Sequence, residues 1–440
     1  MSLPKISLKM RSIYIRRCIV YMGKFVVTGG KRLKGRLRVP GAKNTVLPIL
    51  AATIISGKKT ILTDCPVISD VENTLEILKD MGCKVKNSGS VIEIDSSDII
   101  KTTINEKLME KMRSSIILTG AIIARKKKAD TSFPGGCELG LRPIDLHIKA
   151  FKELSISVNE QYGFIHFDGE NMKNADIHLS FPSVGATENI MLVAMGIPGT
   201  TRIINAAKEP EIEDLQIFLN KMGGKIKGAG TGIIEIEGVS EFKDVTHKII
   251  PDRIVTATYI AAAAVTGGEI EIENAELSHL DAVVSVFKEA GVVFENKKDG
   301  IISVKAPNKL KSVNIIRTTP YPGFPTDAQS ILSSVLSVAD GTSIIVENIF
   351  EQRFKHIDEL LKMGADITVN GSCAVIKGKD KLYGAKTSAP DLRSGAALVI
   401  AGLCANGKTE ISNSCFVERG YEDLAGNLSL VGADIKFIEG

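Results

Sequence analysis

One motif recurs six times along the 440-residue chain: an amphipathic helix that runs into a small residue and then a strand. The copies read LKDMGCKV (78–85), FKELSISV (151–158), LNKMGGKI (219–226), FKEAGVVF (287–294), LKMGADI (361–367) and LSLVGADI (428–435). The turn residues are Gly82, Ser155, Gly223, Gly291, Gly364 and Gly432, at successive separations of 73, 68, 68, 73 and 68. Glycine at that point fits a helix terminus in the left-handed region. Ser155 departs from the pattern, so the second copy is expected to end its helix differently. A unit of this kind cannot bury its apolar face alone, so the copies must pack on one another.

Between these motifs lies a second repeating element that is apolar nearly all round: TVLPILAATIIS (45–56), SSIILTGAIIA (114–124), TENIMLVAMGI (187–197), RIVTATYIAAAAV (253–265), AQSILSSVLSVA (328–339) and RSGAALVIAGLCA (393–405). A helix without a polar face is a buried helix. Each leads into a turn and a short strand. A unit of about 70 residues therefore holds two helices and several strands, giving an α/β chain. Six buried helices predict two groups of three, each inside a ring of sheets, and the length also calls for two or more domains. The repeat disposes of one motif. GLCANGKT (402–409) matches the P-loop pattern, but a P-loop follows a strand and opens a helix. Here helix is expected before it and strand after it.

Composition excludes further classes. The net charge is only +4 and Trp is absent, which argues against nucleic acid as a partner. No apolar run is long enough for a membrane span. The seven cysteines (18, 65, 83, 137, 373, 404 and 415) form no C-x-x-C pair, and neither a disulfide framework nor a metal site is expected. A reducing cytoplasm fits. The basic stretch before Met22 is too short in apolar residues for a secretory signal and reads as an upstream extension or cloning scar.

Chemistry concentrates in loops. PGGCELGLRPID (134–145) sets Cys137 in a glycine-rich turn, with Arg142 close by in sequence to lower its pKa. Lys43 and Asn44 open one buried helix and Arg113 another. Asp252, Arg253, Asp327, Asp391 and Arg393 stand at the starts of others, and Arg353 and Arg419 lie in loops. Taken singly, each acid is a helix N-terminal residue and each base a solvated charge. Converging, the cations and helix N-termini make a strong anion site. The run RKKKAD (125–130) reads as a solvated turn.

These segments resemble a known family. GAKNTVLP, PGGCELGLRPIDLH, SVGATENIM, KEPEIEDL, PDRIVT, FPTDAQ, FEQRF, DLRSGAALVIAG and ERGYE are similar to the motifs of the UDP-N-acetylglucosamine 1-carboxyvinyltransferases, within the EPSP synthase superfamily. The likeness runs from about Gly23 to the C-terminus. It implies two inside-out α/β barrel domains, each of three repeats with two helices and a four-stranded sheet. It places residues 43–250 in the first domain, 23–42 with 251–440 in the second, 1–22 outside both, and the active site in the cleft between them. The chain is expected to cross near Arg38–Gly41 and Lys248–Pro251, and the cleft to close on its substrates.

The resemblance implies transfer of the enolpyruvyl group of phosphoenolpyruvate to UDP-N-acetylglucosamine. Cys137 is then the general acid, able to form a covalent adduct and expected to be the target of the epoxide fosfomycin. Asp327 takes the sugar hydroxyl proton, and Lys43 and Arg419 share the catalytic set. Lys43, Asn44, Arg142, Arg353, Arg393 and Arg419 are implied for phosphoenolpyruvate. Asn44, Arg113, Arg142, Pro143, Ile144, Asp145, Leu146, Ser183, Val184, Gly185, Asp327 and Ile349 are implied for the nucleotide sugar. Asp391 is implied to pair with a cleft arginine. The chemistry requires no cofactor. Two departures stand out: Pro182 before Ser183, and Glu138 to Leu141 beside the cysteine. The sister class acting on shikimate 3-phosphate lacks the cysteine loop; a non-catalytic repeat scaffold is the other reading weighed.

Overall fold

The structure is a computed structural model that describes residues 23–133, 135, 144–297 and 300–439. The basic extension and the loop from Gly136 to Pro143, with Cys137 and Arg142, lie outside the described residues. The chain forms two compact units. The first comprises Pro40–Arg253 and Pro320–Gly323; the second comprises residues 23–39, Ile254–Thr319 and 324–439.

Each repeat contributes an inner and an outer helix. In the first unit the pairs are α1 (Lys43–Ser56) with α2 (Ser69–Asp80), α3 (Ile117–Lys126) with α4 (Asp145–Glu153), and α5 (Val184–Ala194) with α6 (Pro210–Lys221). In the second they are α7 (Arg253–Thr266) with α8 (Asp281–Glu289), α9 (Thr326–Leu336) with α10 (His356–Lys362), and α11 (Leu392–Cys404) with α12 (Leu424–Leu430). The inner helices fill two separate apolar cores, one per unit. Every residue of α1 except Asn44 is buried, as is α11 from Arg393 to Leu403. Burying each Leu or Ile contributes about 1.5–3 kcal/mol, so an all-apolar helix is stable only in such a place. The outer helices are amphipathic: α8 buries Val283, Val284 and Phe287 and leaves its other face outward.

The sheets follow one plan. The strand after each inner helix pairs parallel with a strand on one side and antiparallel with a strand on the other, which pairs antiparallel with a fourth. Five sheets have four strands; the second repeat's has three among the described residues. This corrects the expectation of a four-stranded sheet in every repeat. The missing parallel neighbour of Lys128–Ser132 is reduced to a single bridge, Thr103 to Asp130, because Asn105 caps a helical turn at Glu106–Met109 and leads the chain away. In the last repeat the third position is taken by Lys24–Thr28, between Lys408–Ser412 and Asp434–Ile438.

Ser155 is a second correction. It has φ 61°, and the five glycines at its equivalents range from 87° to 117°. All six copies close on the same pair of bonds: Ser155 N to Lys152 O at 3.0 Å and Ile156 N to Phe151 O at 2.9 Å, as Gly82 N to Lys79 O at 3.1 Å and Cys83 N to Leu78 O at 2.9 Å. The second copy thus ends like the others, since two backbone bonds and the burial of Ile156 offset the crowding at Cβ. The GLCANGKT segment lies between the end of α11 and the strand Lys408–Ser412, an order opposite to that of a P-loop. No helix among the described residues is long and apolar enough to cross a membrane.

Candidate active site

In the first unit, the start of α1 is fixed by two acids. Lys43 N donates to Asp252 Oδ2 at 3.1 Å, and its Nζ lies 2.7 Å from Asp70 Oδ2, with the side chains 10% and 1% exposed. Asp70 comes from the first turn of α2 and reads in sequence as an ordinary N-terminal acid. Nothing in the spacing marks it as the partner of a lysine 27 positions earlier. Asn44 is the one residue of α1 that is not buried. Nearby in sequence, Arg253 Nε donates to Glu211 Oε1 at 2.8 Å, and its guanidinium stands 5.6 Å from the centre of the Tyr321 ring. Burial, reinforced by Glu211 and Glu209, pushes the Glu188 carboxyl well above the usual carboxylate range.

A second group of implied residues meets around His147, which sequence reasoning did not single out. Ile144, Asp145 and Leu146 lead into and begin α4, Ser183 caps α5 by accepting from Ala186 N at 3.3 Å, and Arg113 opens a single 3-10 turn. A Cβ added at Gly185 would meet His147 Cε1 at 3.4 Å. His147 Nδ1 accepts from Asn189 Nδ2 at 2.9 Å. Burial, then the Arg113 charge, pushes His147 down to about 4, against a smaller upward pull from Asp145. The imidazole is therefore neutral at neutral pH, with its Cε1–Nε2 edge beside Gly185. Asn189 also donates to Ile116 O at 3.0 Å and accepts from Gly120 N at 2.8 Å. A signal for it existed: a polar residue inside the apolar stretch TENIMLVAMGI needs buried partners.

In the second unit, Asp327 in the first turn of α9 is shared by two arginines. Arg353 Nη2 donates to Oδ1 at 3.0 Å; Arg393 Nε and Nη2 both reach Oδ2 at 3.3 Å. Arg353 is 1% exposed, so its charge is compensated within the protein or not at all. Asp391 caps α11, accepting from Arg393 N at 2.9 Å and Ser394 N at 3.0 Å, and lies 3.9 Å from Arg353 Nη1. Both sequence readings of Asp391, cap and arginine partner, therefore hold at once. The Arg393 guanidinium stands 5.5 Å from the Tyr421 ring centre, and the Tyr421 hydroxyl is 2.8 Å from Thr258 Oγ1. Arg419 follows the helical turn Cys415–Glu418 and is half-buried. Ile349 N donates to Glu347 at 2.8 Å.

The structure thus brings Asp327, Arg353, Asp391 and Arg393 into one network and sets Arg113, Asp145 and Gly185 about His147. Lys43, in the first unit, is tied to Asp70 and Asp252. Cys137, Arg142 and Pro143 are outside the described residues. A carboxylate held by two guanidinium groups at the starts of buried helices suits oxyanionic ligands and proton traffic at a hydroxyl.

Solved structures share this fold. The enolpyruvyl transferase NikO from Streptomyces tendae superposes with a TM-score of 0.87 over 95% of this chain and 99% of that one, at 22% identity. EPSP synthase from Acinetobacter baumannii does so with a TM-score of 0.75 over 94% and 100%, at 19% identity. Residues 27–428 match the family model of EPSP synthase (3-phosphoshikimate 1-carboxyvinyltransferase). The fold and this match define the class, that of enzymes moving a carboxyvinyl group. Within it, UDP-N-acetylglucosamine 1-carboxyvinyltransferase 2 of Caldanaerobacter subterraneus subsp. tengcongensis is 53% identical over 94% of this chain and 99% of its own length. UDP-N-acetylglucosamine 1-carboxyvinyltransferase of Halothermothrix orenii is 46% identical over 95% and 100%. The chain belongs to the UDP-N-acetylglucosamine 1-carboxyvinyltransferase family.

Proposed function

We propose that this chain transfers the enolpyruvyl group of phosphoenolpyruvate to the 3-hydroxyl of UDP-N-acetylglucosamine and releases phosphate, the first committed step of peptidoglycan precursor synthesis. The reading is carried by the 53% identity, over 94% of this chain, with a relative of that name. Seven cysteines without a C-x-x-C pair fit action in a reducing cytoplasm.

The reaction is an addition followed by an elimination. Cys137 gives a proton to the methylene carbon of phosphoenolpyruvate, which makes the adjacent carbon electrophilic. Asp327 takes the proton of the sugar 3-hydroxyl as that oxygen attacks. The tetrahedral product carries both sugar and phosphate; loss of a methyl proton and of phosphate gives the enol ether. General acid catalysis is worth on the order of 10²–10⁴-fold. Cationic neighbours favour the Cys137 thiolate, and the phosphate and carboxylate of bound phosphoenolpyruvate restore the thiol. The same cysteine is the proposed target of fosfomycin and the site of a covalent adduct. Lys43, Asn44, Arg142, Arg353, Arg393 and Arg419 hold phosphoenolpyruvate, whose two anionic groups need several donors. Asn44, Arg113, Arg142 to Leu146, Ser183 to Gly185, Asp327 and Ile349 hold the nucleotide sugar.

A carboxylate is a weak base, so position supplies much of the effect proposed for Asp327. A proton arriving on Asp327 weakens its pairs with Arg353 and Arg393, and freed guanidinium donors are what a departing phosphate requires. The chemistry moves protons and a C–O bond, with no redox step.

Phosphate release measured with phosphoenolpyruvate and either UDP-N-acetylglucosamine or shikimate 3-phosphate tests the reading. Release with the nucleotide sugar alone, abolished in Cys137→Ala, is expected. Release with shikimate 3-phosphate alone would move the chain to the sister activity. An undiminished rate in Cys137→Ala would return that cysteine to a structural role.

A further inference from the structure

Glu347 lies one residue beyond the strand Thr342–Val346 and is 3% exposed. No lysine, arginine or histidine among the described residues pairs with it. Four donors do. Thr318 Oγ1 and the backbone N–H groups of Ile349 and Phe350 reach Oε1 at 2.9, 2.8 and 3.1 Å. Thr326 Oγ1 reaches Oε2 at 3.0 Å. The donors come from three separate segments: the chain after Ile315–Arg317, the first residue of α9, and the turn after Glu347 itself.

What those donors carry gives the cluster its meaning. Thr326 precedes Asp327, and its carbonyl accepts from Arg353 Nε at 3.2 Å. The Phe350 ring lies 6.0 Å from the Arg353 guanidinium, which in turn holds Asp327. Ile349 is the proposed contact to the nucleotide sugar. Three groups of the proposed site are thus tied to one buried carboxylate that touches no substrate in the scheme above.

We propose that Glu347 is a positioning residue for the sugar acceptor, setting Asp327, Ile349 and Arg353 in register. This rests on the reaction proposed above. The argument is chemical as well as spatial. Two of the four donors are backbone N–H groups, which no change of partner side chain can replace, so the position itself must supply the acceptor. Glutamine keeps Oε1 for three of the bonds, and the Thr326 hydroxyl can rotate to accept from its amide. Leucine fills a similar volume and accepts nothing. An error of the order of 1 Å at a reacting group costs up to about 10²-fold.

The test is calorimetric titration of the enzyme with UDP-N-acetylglucosamine alone, followed by turnover with phosphoenolpyruvate. Glu347→Leu is expected to weaken the Kd about tenfold or more and to lower kcat by about 10–100-fold, and Glu347→Gln to recover most of both. Thr326→Val, which cuts only the Oε2 link beside Asp327, should lower kcat and serves if the leucine variant does not fold. A purely structural role predicts fewer binding sites per chain and a lower melting temperature with Kd unchanged; that pattern would overturn the proposal. Wild type failing to bind UDP-N-acetylglucosamine overturns the acceptor reading and this assignment with it. Wild-type binding with Thr326→Val and Glu347→Leu both unaltered overturns the positioning role alone.

Discussion

At the scale of single residues, the ion pairs of Asp327 give a test that separates chemistry from stability. Asp327→Ala leaves the buried Arg353 and Arg393 without their shared carboxylate. Removing one partner of a buried pair costs about 3–5 kcal/mol, less here because Asp327 is part-exposed. Asp327→Asn keeps an oxygen acceptor and should lose under about half of that, while phosphate release falls equally in both. Urea unfolding beside the turnover assay reads the two effects apart. Lys43 offers the mirror case. In Asp70→Ala its ammonium loses the buried carboxylate that accepts from it, and a loss of about 3 kcal/mol is expected; melting unchanged from wild type would show that Lys43 finds solvent instead.

This scale is also where the sequence was least legible. Charged residues at the starts of apolar helices mark Lys43, Asp327, Asp391 and Arg393, because such helices have few other places for charge. Their partners carry no comparable mark. Asp70 looks like a helix-dipole acid, and Glu347 like the polar end of a strand, since the Thr318 and Thr326 that explain it lie 29 and 21 positions away. Sequence separation hides side-chain pairing that the topology creates.

At the scale of elements, the six repeats were legible because helix period and turn chemistry are local. The misjudged end at Ser155 follows from the same locality. Glycine is the easiest residue in the left-handed region but not the only one, and the two closing bonds are backbone bonds that any residue can make. Ser155→Gly should therefore be neutral to stabilising, by up to about 1 kcal/mol, and Gly223→Ala destabilising by about 1–2 kcal/mol. The latter is aggravated by Glu241 O, 3.1 Å from the new Cβ. A stabilised Gly223→Ala in thermal denaturation would remove the backbone argument. Where α3 meets α5 the constraint is steric. A Cβ on Gly120 would stand 2.3 Å from Asn189 Oδ1, so Gly120→Ala must part the helices or break the Asn189 bonds. Its expected cost is about 1–3 kcal/mol or more, read as a drop in melting temperature.

At the scale of the whole molecule, buried histidines make stability depend on pH. His147 is pushed down from its ordinary 6.5 to about 4, chiefly by burial. Folded His147 stays neutral where the unfolded chain already binds a proton. Its contribution is complete above pH 6.5 and is lost as pH falls towards 4. The loss is at most about 3 kcal/mol. His356, also buried and pushed down to about 4, acts in the same direction. Melting temperature against pH should fall less steeply over that interval in His147→Asn than in wild type; parallel curves would exclude His147 from the acid sensitivity. The buried Glu188 acts oppositely, favouring the folded state below its ordinary pKa of 4.5, so the comparison of variant with wild type is the informative measurement.

The strand Lys24–Thr28 sits inside its sheet, flanked by Lys408–Ser412 and Asp434–Ile438. During synthesis it leaves the ribosome with neither neighbour in existence. At about 5–20 residues per second, the roughly 400 residues still to come take on the order of 20–80 s. Throughout that interval Phe25 and Val27, destined for the second core, face the solvent or a chaperone, whereas the Pro40–Arg253 segment, once made, holds the whole first core. Ribosome-bound chains stalled short of Lys408 should be cut by protease at the Lys24–Thr28 strand while that unit resists; protection of the strand at such lengths would mean that it has found a temporary cover.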